Sequence, residues 1–389
     1  MRRVWRRAAA VGLLLVMMAA GALAQETMRV YVAEGALEEE TAQQLVEMIA
    51  RAYPQNQWEM LHQSRTGESL RELVLRDGAP ALAICTPREA RPWAQEGMLL
   101  PLQRLIGEQG RMQPQVLDAC VLEETLFMAP LAARHRQMAV NVRRFEVRHL
   151  GHMLDHLAHP VWYPTEFYQI LEEFLLAEET AMEVWQEPDG AALEAMVQAL
   201  YDGALLSEDG TRCTVSTPEL CAGLRWMGEA VVSGLIGCAE SREAALERFA
   251  AGETAIFPDW TAREDALLGR ELAAHGMEIV TVPYPASVGL PVRAFEVTGV
   301  CVFGQGDAAA NAQALRAAVL LHENTQAQAL LGNRLIWRDN AVWLPSLDAY
   351  AHGATLRSLF AEAMRRVLAD EIDASRALED VQAAMDALQ

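Results

Sequence analysis

The hydrophobic pattern of the first part of the chain alternates between two periods. Apolar and β-branched residues alternate with polar ones around Arg29, which predicts a strand, and apolar positions at helical spacing follow. This order is repeated twice before Pro130. The predicted strands lie at 29–33, 58–61 and 81–85, and the predicted helices at 38–52, 70–76 and 88–95. Strands that alternate with helices are typical of a parallel sheet covered by helices on both faces.

After Pro130 longer helical patterns dominate. Strands are predicted at 136–140, 278–282 and 297–303, and helices at 166–176, 193–201, 218–232, 242–250, 308–322 and from 356 to the C-terminus. The 389 residues also exceed the roughly 250 to 300 residues at which a single hydrophobic core stops growing. Two lobes are therefore predicted.

The N-terminus has the three parts of a secretory signal peptide. Four arginines (Arg2, Arg3, Arg6 and Arg7) precede an apolar run at 8–20, and Ala22-Leu23-Ala24 provides a small-residue cleavage site. The apolar run is shorter than the roughly 20 residues of a membrane span, so cleavage after Ala24 is favoured over an uncleaved anchor. A periplasmic or secreted mature protein is predicted.

The charge balance excludes several classes of function. The chain has 53 acidic and 32 basic residues, a formal charge of −21, and all of its basic residues are arginine. Without lysine there is no Schiff-base chemistry and no phosphate-loop lysine. The acidic balance argues against nucleic acid or an anionic membrane as a partner.

Six cysteines follow the predicted cleavage site, and an oxidising compartment permits them to pair. Cys213 and Cys221 flank the helix-start signal Thr217-Pro218 and are the favoured pair, although the sequence leaves the pairing open. No Cys-x-x-Cys motif indicates a zinc or redox site.

Several short motifs occur in an order that resembles one family. They are Tyr53-Pro54 before Trp58-Glu59-Met60, Gly97-Met98-Leu99-Leu100-Pro101-Leu102, the stretch 126–131, Pro164-Thr165-Glu166-Phe167, the stretch 249–256 before Trp260, Pro283-Tyr284-Pro285 and Val297-Thr298-Gly299. Together they resemble the extracellular solute-binding proteins of ABC transporters, family 1, the maltose-binding-protein-like group. One departure is Ala81, which stands where the family usually has aspartate.

The resemblance implies an α/β, type II periplasmic-binding-protein-like fold of two lobes, each a sheet flanked by helices, with a cleft between them. The N-terminal lobe would comprise 25–130 plus 283–325, and the C-terminal lobe 131–282 plus 326–389. The implied function is capture of a small solute, a sugar or oligosaccharide, by hinge closure and its delivery to a membrane ABC permease. A monomer without enzymatic activity or cofactor is expected.

The candidate ligand-binding residues combine aromatic surfaces with polar groups, as a sugar site requires. They are Trp260, Asp259, Arg134, Thr66, Thr86, Trp162, Tyr163 and Trp337. By the resemblance Trp260 would stack on the solute, and the alternative is a tryptophan of the core. Arg134 falls where the family places a polar contact, and the alternative is a solvated arginine.

A cluster of histidines supports an alternative function. His149, His152, His156 and His159 have spacings that predict one helical face, so an exported metal-binding or metal-dependent protein is conceivable. No His-Glu-x-x-His motif accompanies them, and a solvated histidine face is favoured. The sequence has no Gly-x-Ser-x-Gly nucleophile elbow either.

Overall fold

The computed structural model describes most of the chain. The described ranges are 27–33, 36–67, 69–106, 112–157, 163–185, 191–207, 210–261, 264, 268–287, 292–331, 342–344, 347 and 350–388. Within them, no helix is both long enough and apolar enough to cross a bilayer.

Strands and helices alternate along the first third of the chain. The strands are β1 (Thr27–Val32), β2 (Gln57–His62), β3 (Leu82–Cys85), β4 (Val121–Leu122), β5 (Thr125–Leu126), β6 (Met128–Asn141), β7 (Glu183–Trp185), β8 (Gly237–Ala239), β9 (Ile256–Trp260), β10 (Ile279–Val282), β11 (Val292–Val302) and β12 (Val342–Trp343). The helices are α1 (Glu39–Ala52), α2 (Gln63–Thr66), α3 (Leu70–Asp77), α4 (Pro87–Gln95), α5 (Pro114–Ala119), α6 (Val142–Val147), α7 (Gly151–Leu157), α8 (Pro164–Leu176), α9 (Ala191–Tyr201), α10 (Pro218–Val232), α11 (Arg242–Ala250), α12 (Arg270–Ala274), α13 (Ala308–Glu323), α14 (Thr325–Leu330), α15 (Gly353–Leu368) and α16 (Ala374–Asp386).

The helices of the first part begin at the residues that local chemistry selects. Ser69 and Thr86 stand at the N-caps of α3 and α4, and each forms a capping box with the glutamate three residues later. In α1 the residues Leu45 and Ile49 form part of the buried face, so the helix packs on the sheet through its apolar stripe.

Among the described residues, eight strands join into one sheet that continues through both halves of the molecule. Its path is β10-β6-β11-β3-β1-β2, with β12 beside β11 and β9 beside β6. β1 is parallel to β2 and to β3, whereas β11 is antiparallel to β3 and to β6. The predicted parallel start is confirmed, and the two long strands β6 and β11 join it to the rest.

Two separate hydrophobic cores lie at the two ends of this sheet. The first, called here the N-lobe core, holds residues from Met28 to Ala133 and from Val297 to Ala327. The second, the C-lobe core, holds residues from Met138 to Ala286, Ala294, and residues from Leu347 to Met385. Strand β6 passes from the first core to the second, so the chain builds two lobes around a shared pair of strands.

Each predicted helix and strand overlaps an observed one, but the C-terminal helix is wrong in extent. The predicted single helix is two helices, α15 and α16, separated at Ala369–Asp373. Asp370 has a left-handed backbone with φ of 56°, and the side chain of Asp373 then caps α16 by accepting from Ser375 N at 2.8 Å. An aspartate cap starts a new helix by satisfying its free N–H groups.

Candidate functional site

The segment between the two cores differs from the rest of β6. Both ends of β6 are buried, whereas Arg134, His135, Arg136 and Gln137 are only half-buried. This polar stretch lies where β6 passes from the N-lobe core to the C-lobe core, and it is referred to below as the hinge segment. Open α/β sheets bind ligands at the carboxyl ends of their strands. The end of β9 pairs with this segment, and Ala36, which follows β1, is hydrogen-bonded to it.

Arg134 of the hinge segment binds the N-lobe. Its guanidinium donates to the carbonyl oxygen of Ala36, just after β1, at 2.6 Å. Thr298 of β11 donates its hydroxyl to the same carbonyl at 3.4 Å. The predicted ligand contact is thus engaged with the backbone in this structure, rather than solvated.

Asp259 of β9 binds the hinge segment from the C-lobe. Its side chain is only 4% exposed and accepts from Arg136 at 2.6 Å on one oxygen and from Arg242 on the other. Burial alone would raise the pKa of Asp259, but the charges of Arg136 and Arg242 lower it below its usual range. The aspartate is therefore an ionised link between β6, β9 and α11.

The network continues beyond Asp259. Arg242 also donates to Glu264 at 2.8 Å, and Glu264 accepts from the backbone N–H of Thr261 at 3.0 Å. Tyr284 donates its hydroxyl to the Pro258 carbonyl at 2.9 Å. Burial, and next the charge of Asp259, raise the pKa of Tyr284 well above its usual range, so its hydroxyl stays protonated.

Trp260 lies at the end of β9 and is 2% exposed. Its ring packs edge-on against Phe249, with centroids 6.0 Å apart and planes at 65°. Among the described residues, none accepts a hydrogen bond from its indole N–H. In this conformation the ring has no free face for a solute, so stacking by Trp260 stays a prediction that requires the ring to become exposed.

The two threonines of the N-lobe differ in their availability. Thr86 is half-buried, and its hydroxyl both accepts from Glu89 N at 3.4 Å and donates to the Glu89 carboxylate at 3.0 Å. It is therefore committed to the cap of α4. Thr66 ends α2, and its side chain is exposed.

The aromatic candidates of the second lobe are only partly described. Tyr163 is 49% exposed, precedes α8, and donates its backbone N–H to Glu166 at 2.8 Å. Trp162 and Trp337 lie outside the described residues. Their predicted roles in the cleft stay untested.

The histidine segment is not the single helical face that its spacing predicts. His149 has a left-handed backbone with φ of 60° and precedes α7, which begins at Gly151. His152 is on the helix and contacts the His149 carbonyl through Nδ1 at 3.1 Å. The side chain of His156 and all of His159 lie outside the described residues. In the part of the chain that the structure describes, no three His, Cys, Asp or Glu side chains are grouped as a metal site.

The cysteines are free thiols, so the predicted pair of Cys213 and Cys221 is not formed. Cys213 is buried, with its thiol directed to Gln382 at 3.9 Å, whereas Cys221 is on α10 beside Arg225. Flanking a helix start does not bring two thiols together, because the helix carries the second one away from the preceding loop.

A groove of about 620 Å³ lies elsewhere, along the outer side of α13. Leu315, Val319 and Leu320 line it together with Tyr53 and Leu105. None of the predicted ligand residues belongs to it, so it is separate from the hinge segment.

Sequence reasoning missed Arg136, Arg242, Glu264 and Tyr284. Arg136 had a signal, because it is two residues from Arg134 on a predicted strand and so shares its face. Arg242 had none, since its link to Asp259 is made through the tertiary fold.

No protein-family model and no curated protein sequence matches the chain. Solved structures do. The chain is similar to the cyclic alpha-maltosyl-1,6-maltose binding protein of Arthrobacter globiformis, at 17% identity and a TM-score of 0.74 over 94% of this chain and 99% of that one. The chain is also similar to the GacH receptor of Streptomyces glaucescens, solved with acarbose, at 17% identity and a TM-score of 0.71 over 94% of this chain and 98% of that one. A third similar structure is the maltose-maltodextrin binding protein of Alicyclobacillus acidocaldarius, at 13% identity and a TM-score of 0.69 over 93% of this chain and 100% of that one.

These similarities extend over nearly the whole length of each protein. They therefore include both cores and the strands that join them. The predicted fold class is confirmed. The chain has the two-lobed α/β fold of these three proteins.

Proposed function

We propose that this protein is an extracytoplasmic solute-binding protein that captures a saccharide between its lobes by hinge closure and hands it to an ABC permease. It acts as a monomer and catalyses no reaction. The observation that carries the proposal is the pair of strands β6 and β11, which join two independent cores through a half-buried polar segment. Such a connection permits the lobes to rotate as rigid bodies.

The chemistry around the hinge segment suits an uncharged, hydroxyl-rich solute. The charges of Asp259, Arg136 and Arg242 are engaged with one another, so they present a structured polar surface rather than an unpaired charge. The solved neighbours named above carry maltose-type sugars or acarbose in their names, which supports a saccharide. Hydrogen-bonding groups beside an aromatic ring are what saccharide recognition needs.

The residue assignments belong to the proposal. Trp260 offers its ring to the solute in a conformation in which the ring leaves its contact with Phe249, and Tyr163 and Thr66 offer exposed groups. Asp259 and Arg134 act mainly by holding the strands that line the cleft. Trp162 and Trp337 are proposed as aromatic contacts of the solute. Thr86, which directly follows β3, is proposed as a further contact.

The lobe boundaries and the export route also belong to it. The lobes comprise 25–130 plus 283–325 and 131–282 plus 326–389, apart from residues near the crossings that pack in the core of the other lobe, such as Ala133, Tyr284, Ala294 and Ala327. The signal peptide is cleaved after Ala24. N-terminal sequencing of the exported protein should begin at Gln25. A mature chain that retains Met1 would contradict the export route and leave the fold untouched.

A thermal-shift screen tests the proposed function. Maltose, maltotriose, cyclic maltooligosaccharides, polyols and phosphorylated sugars are each added to the mature protein. A ligand at a hundredfold excess over its Kd stabilises the folded state by about 2.7 kcal/mol, which a melting curve resolves readily. At least one neutral saccharide should raise the melting temperature, and a flat response to the whole neutral panel would contradict the proposal.

Addition of zinc to the thermal-shift assay tests the alternative function of metal binding. Zinc chloride is tested in the same format on the parent and on a His149→Gln/His152→Gln variant. Zinc is expected to produce no histidine-dependent shift. Stabilisation by zinc that both substitutions abolish, without any saccharide response, would favour the alternative function.

A further inference from the structure

The hinge segment carries two arginines on one face. Successive side chains of a strand point to opposite faces, so Arg134 and Arg136 lie on the same side of β6. Arg134 donates to the Ala36 carbonyl of the N-lobe at 2.6 Å, and Arg136 donates to Asp259 of the C-lobe at 2.6 Å. Two neighbouring cations of one strand are thus bound to different lobes.

Glu296 of β11 is a cross-strand neighbour of both arginines. It is directly opposite Arg134 in the strand register, and Ala294 is opposite Arg136, so Glu296 is diagonal to Arg136 on the same face. Burial lowers the pKa of Arg136, but Asp259 and then Glu296 more than offset this and raise it. The carboxylate of Glu296 is therefore attracted to Arg136, and its register position places it opposite the second cation, Arg134.

The backbone of both strands is irregular at the two ends of this triad. The pairing of β6 with β9 shifts register between Gln137 and Ala139, and the pairing of β11 with β6 shifts between Thr298 and Gly299. A register shift of this kind bends a strand and increases its local twist. The two shifts therefore lie on either side of Arg134 and Arg136.

We propose that Arg134, Arg136 and Glu296 are positioning residues that set the angle between the two lobes before a solute binds. Rotation of one lobe against the other moves Ala36 relative to Asp259. Since each arginine is bound to one of these groups, such a rotation changes the arrangement of the two cations around Glu296, and the attraction of Glu296 for them favours one angle. The relevance of this angle to capture rests on the proposed function, but the angle itself does not depend on it.

The interlobe distance in the absence of solute tests this proposal. Spin labels are placed at Leu75→Cys on α3 and Leu176→Cys on α8, both strongly exposed, in a background in which the partly exposed Cys221 and Cys238 are replaced by serine. Double electron–electron resonance then gives the distance distribution. Glu296→Gln should shift or broaden this distribution relative to the parent, and Glu296→Asp, which keeps the charge, should restore it.

Glu179→Gln provides the matched control. Glu179 also accepts from two arginines, Arg144 and Arg148, but all three lie within the C-lobe. Its loss should leave the interlobe distribution unchanged. Arg134→Gln is the second test variant, since it removes the bond to Ala36 and leaves the pair of Arg136 with Asp259 intact.

The outcomes are distinct. If Glu296→Gln and Arg134→Gln are folded by circular dichroism and both give the parent distribution, the proposal is overturned. An equal shift in Glu179→Gln would overturn it as well, because any lost ion pair would then act alike. No solute is added, so a failure to bind maltotriose in a separate titration would count against the proposed function and not against the hinge triad.

Discussion

Two carboxylates of the C-lobe have the same partners in kind but different surroundings. Asp259 and Glu179 each accept from two arginines. The side chain of Asp259 is 4% exposed and links the hinge segment to β9 and α11, whereas that of Glu179 is 26% exposed and links residues around α6. The comparison separates the chemistry of an ion pair from the effect of its position.

The difference in burial determines what each pair contributes. Removing one partner of a buried pair leaves a charge without water or counter-charge, which is costly, whereas an exposed pair loses little. Position determines the second difference. Of the two carboxylates, only Asp259 binds a strand, β6, that passes from one lobe to the other, so only its loss should affect the relative placement of the lobes.

The largest effect is expected at Trp260, beside Asp259. Replacement of a buried tryptophan by alanine costs about 3 to 5 kcal/mol, so Trp260→Ala should strongly lower the melting temperature. Saccharide affinity is measured on the same variant when it remains folded. The proposed stacking predicts a tenfold or greater loss of affinity, about 1.4 kcal/mol or more, in the folded variant, and unchanged affinity would contradict it.

Asp259→Asn should destabilise the protein by about 3 kcal/mol, because Arg136 and Arg242 lose their shared counter-charge in a buried place. Urea unfolding followed by circular dichroism measures this. A loss below about 1 kcal/mol would mean that the pair is solvated in solution.

Glu179→Gln is the counterpart of that change at a less buried site. We expect a loss of about 1 kcal/mol or less, since water can replace part of the lost attraction. The same urea titration applies. If the loss of stability in Glu179→Gln equals that in Asp259→Asn, burial does not distinguish the two sites.

Acid should act on both carboxylates in the same direction. The charges of the arginines outweigh burial and lower the pKa of Asp259, and the hydrogen bond from Arg148 lowers that of Glu179. A lowered folded pKa gives stability that is present above the unfolded value, about 3.9 to 4.3, and lost as the pH falls through the folded one. Melting temperatures between pH 6 and 3 should therefore fall less in Asp259→Asn than in the parent. An equal fall in both would contradict the assigned ionisation of Asp259.

Local patterns predicted the elements but not the long-range contacts. The capping glutamates of α3 and α4 and the apolar face of α1 are determined within a few residues, so the early elements could be predicted. Arg136 and Asp259 are 123 positions apart, and nothing local indicates that β6 and β9 become neighbours.

Conformational exceptions account for other differences. His149 adopts a left-handed backbone, which interrupts a histidine pattern whose spacing alone looks helical. The half-burial of the hinge segment could not be predicted either, because it depends on how two separate cores meet.

Solution scattering tests the account most directly. The radius of gyration of the mature protein is measured alone and with the neutral saccharide that gives the largest thermal shift, at a saturating concentration. Closure of two rigid lobes predicts a smaller radius in the bound state. An unchanged scattering curve at saturation would contradict capture by hinge closure.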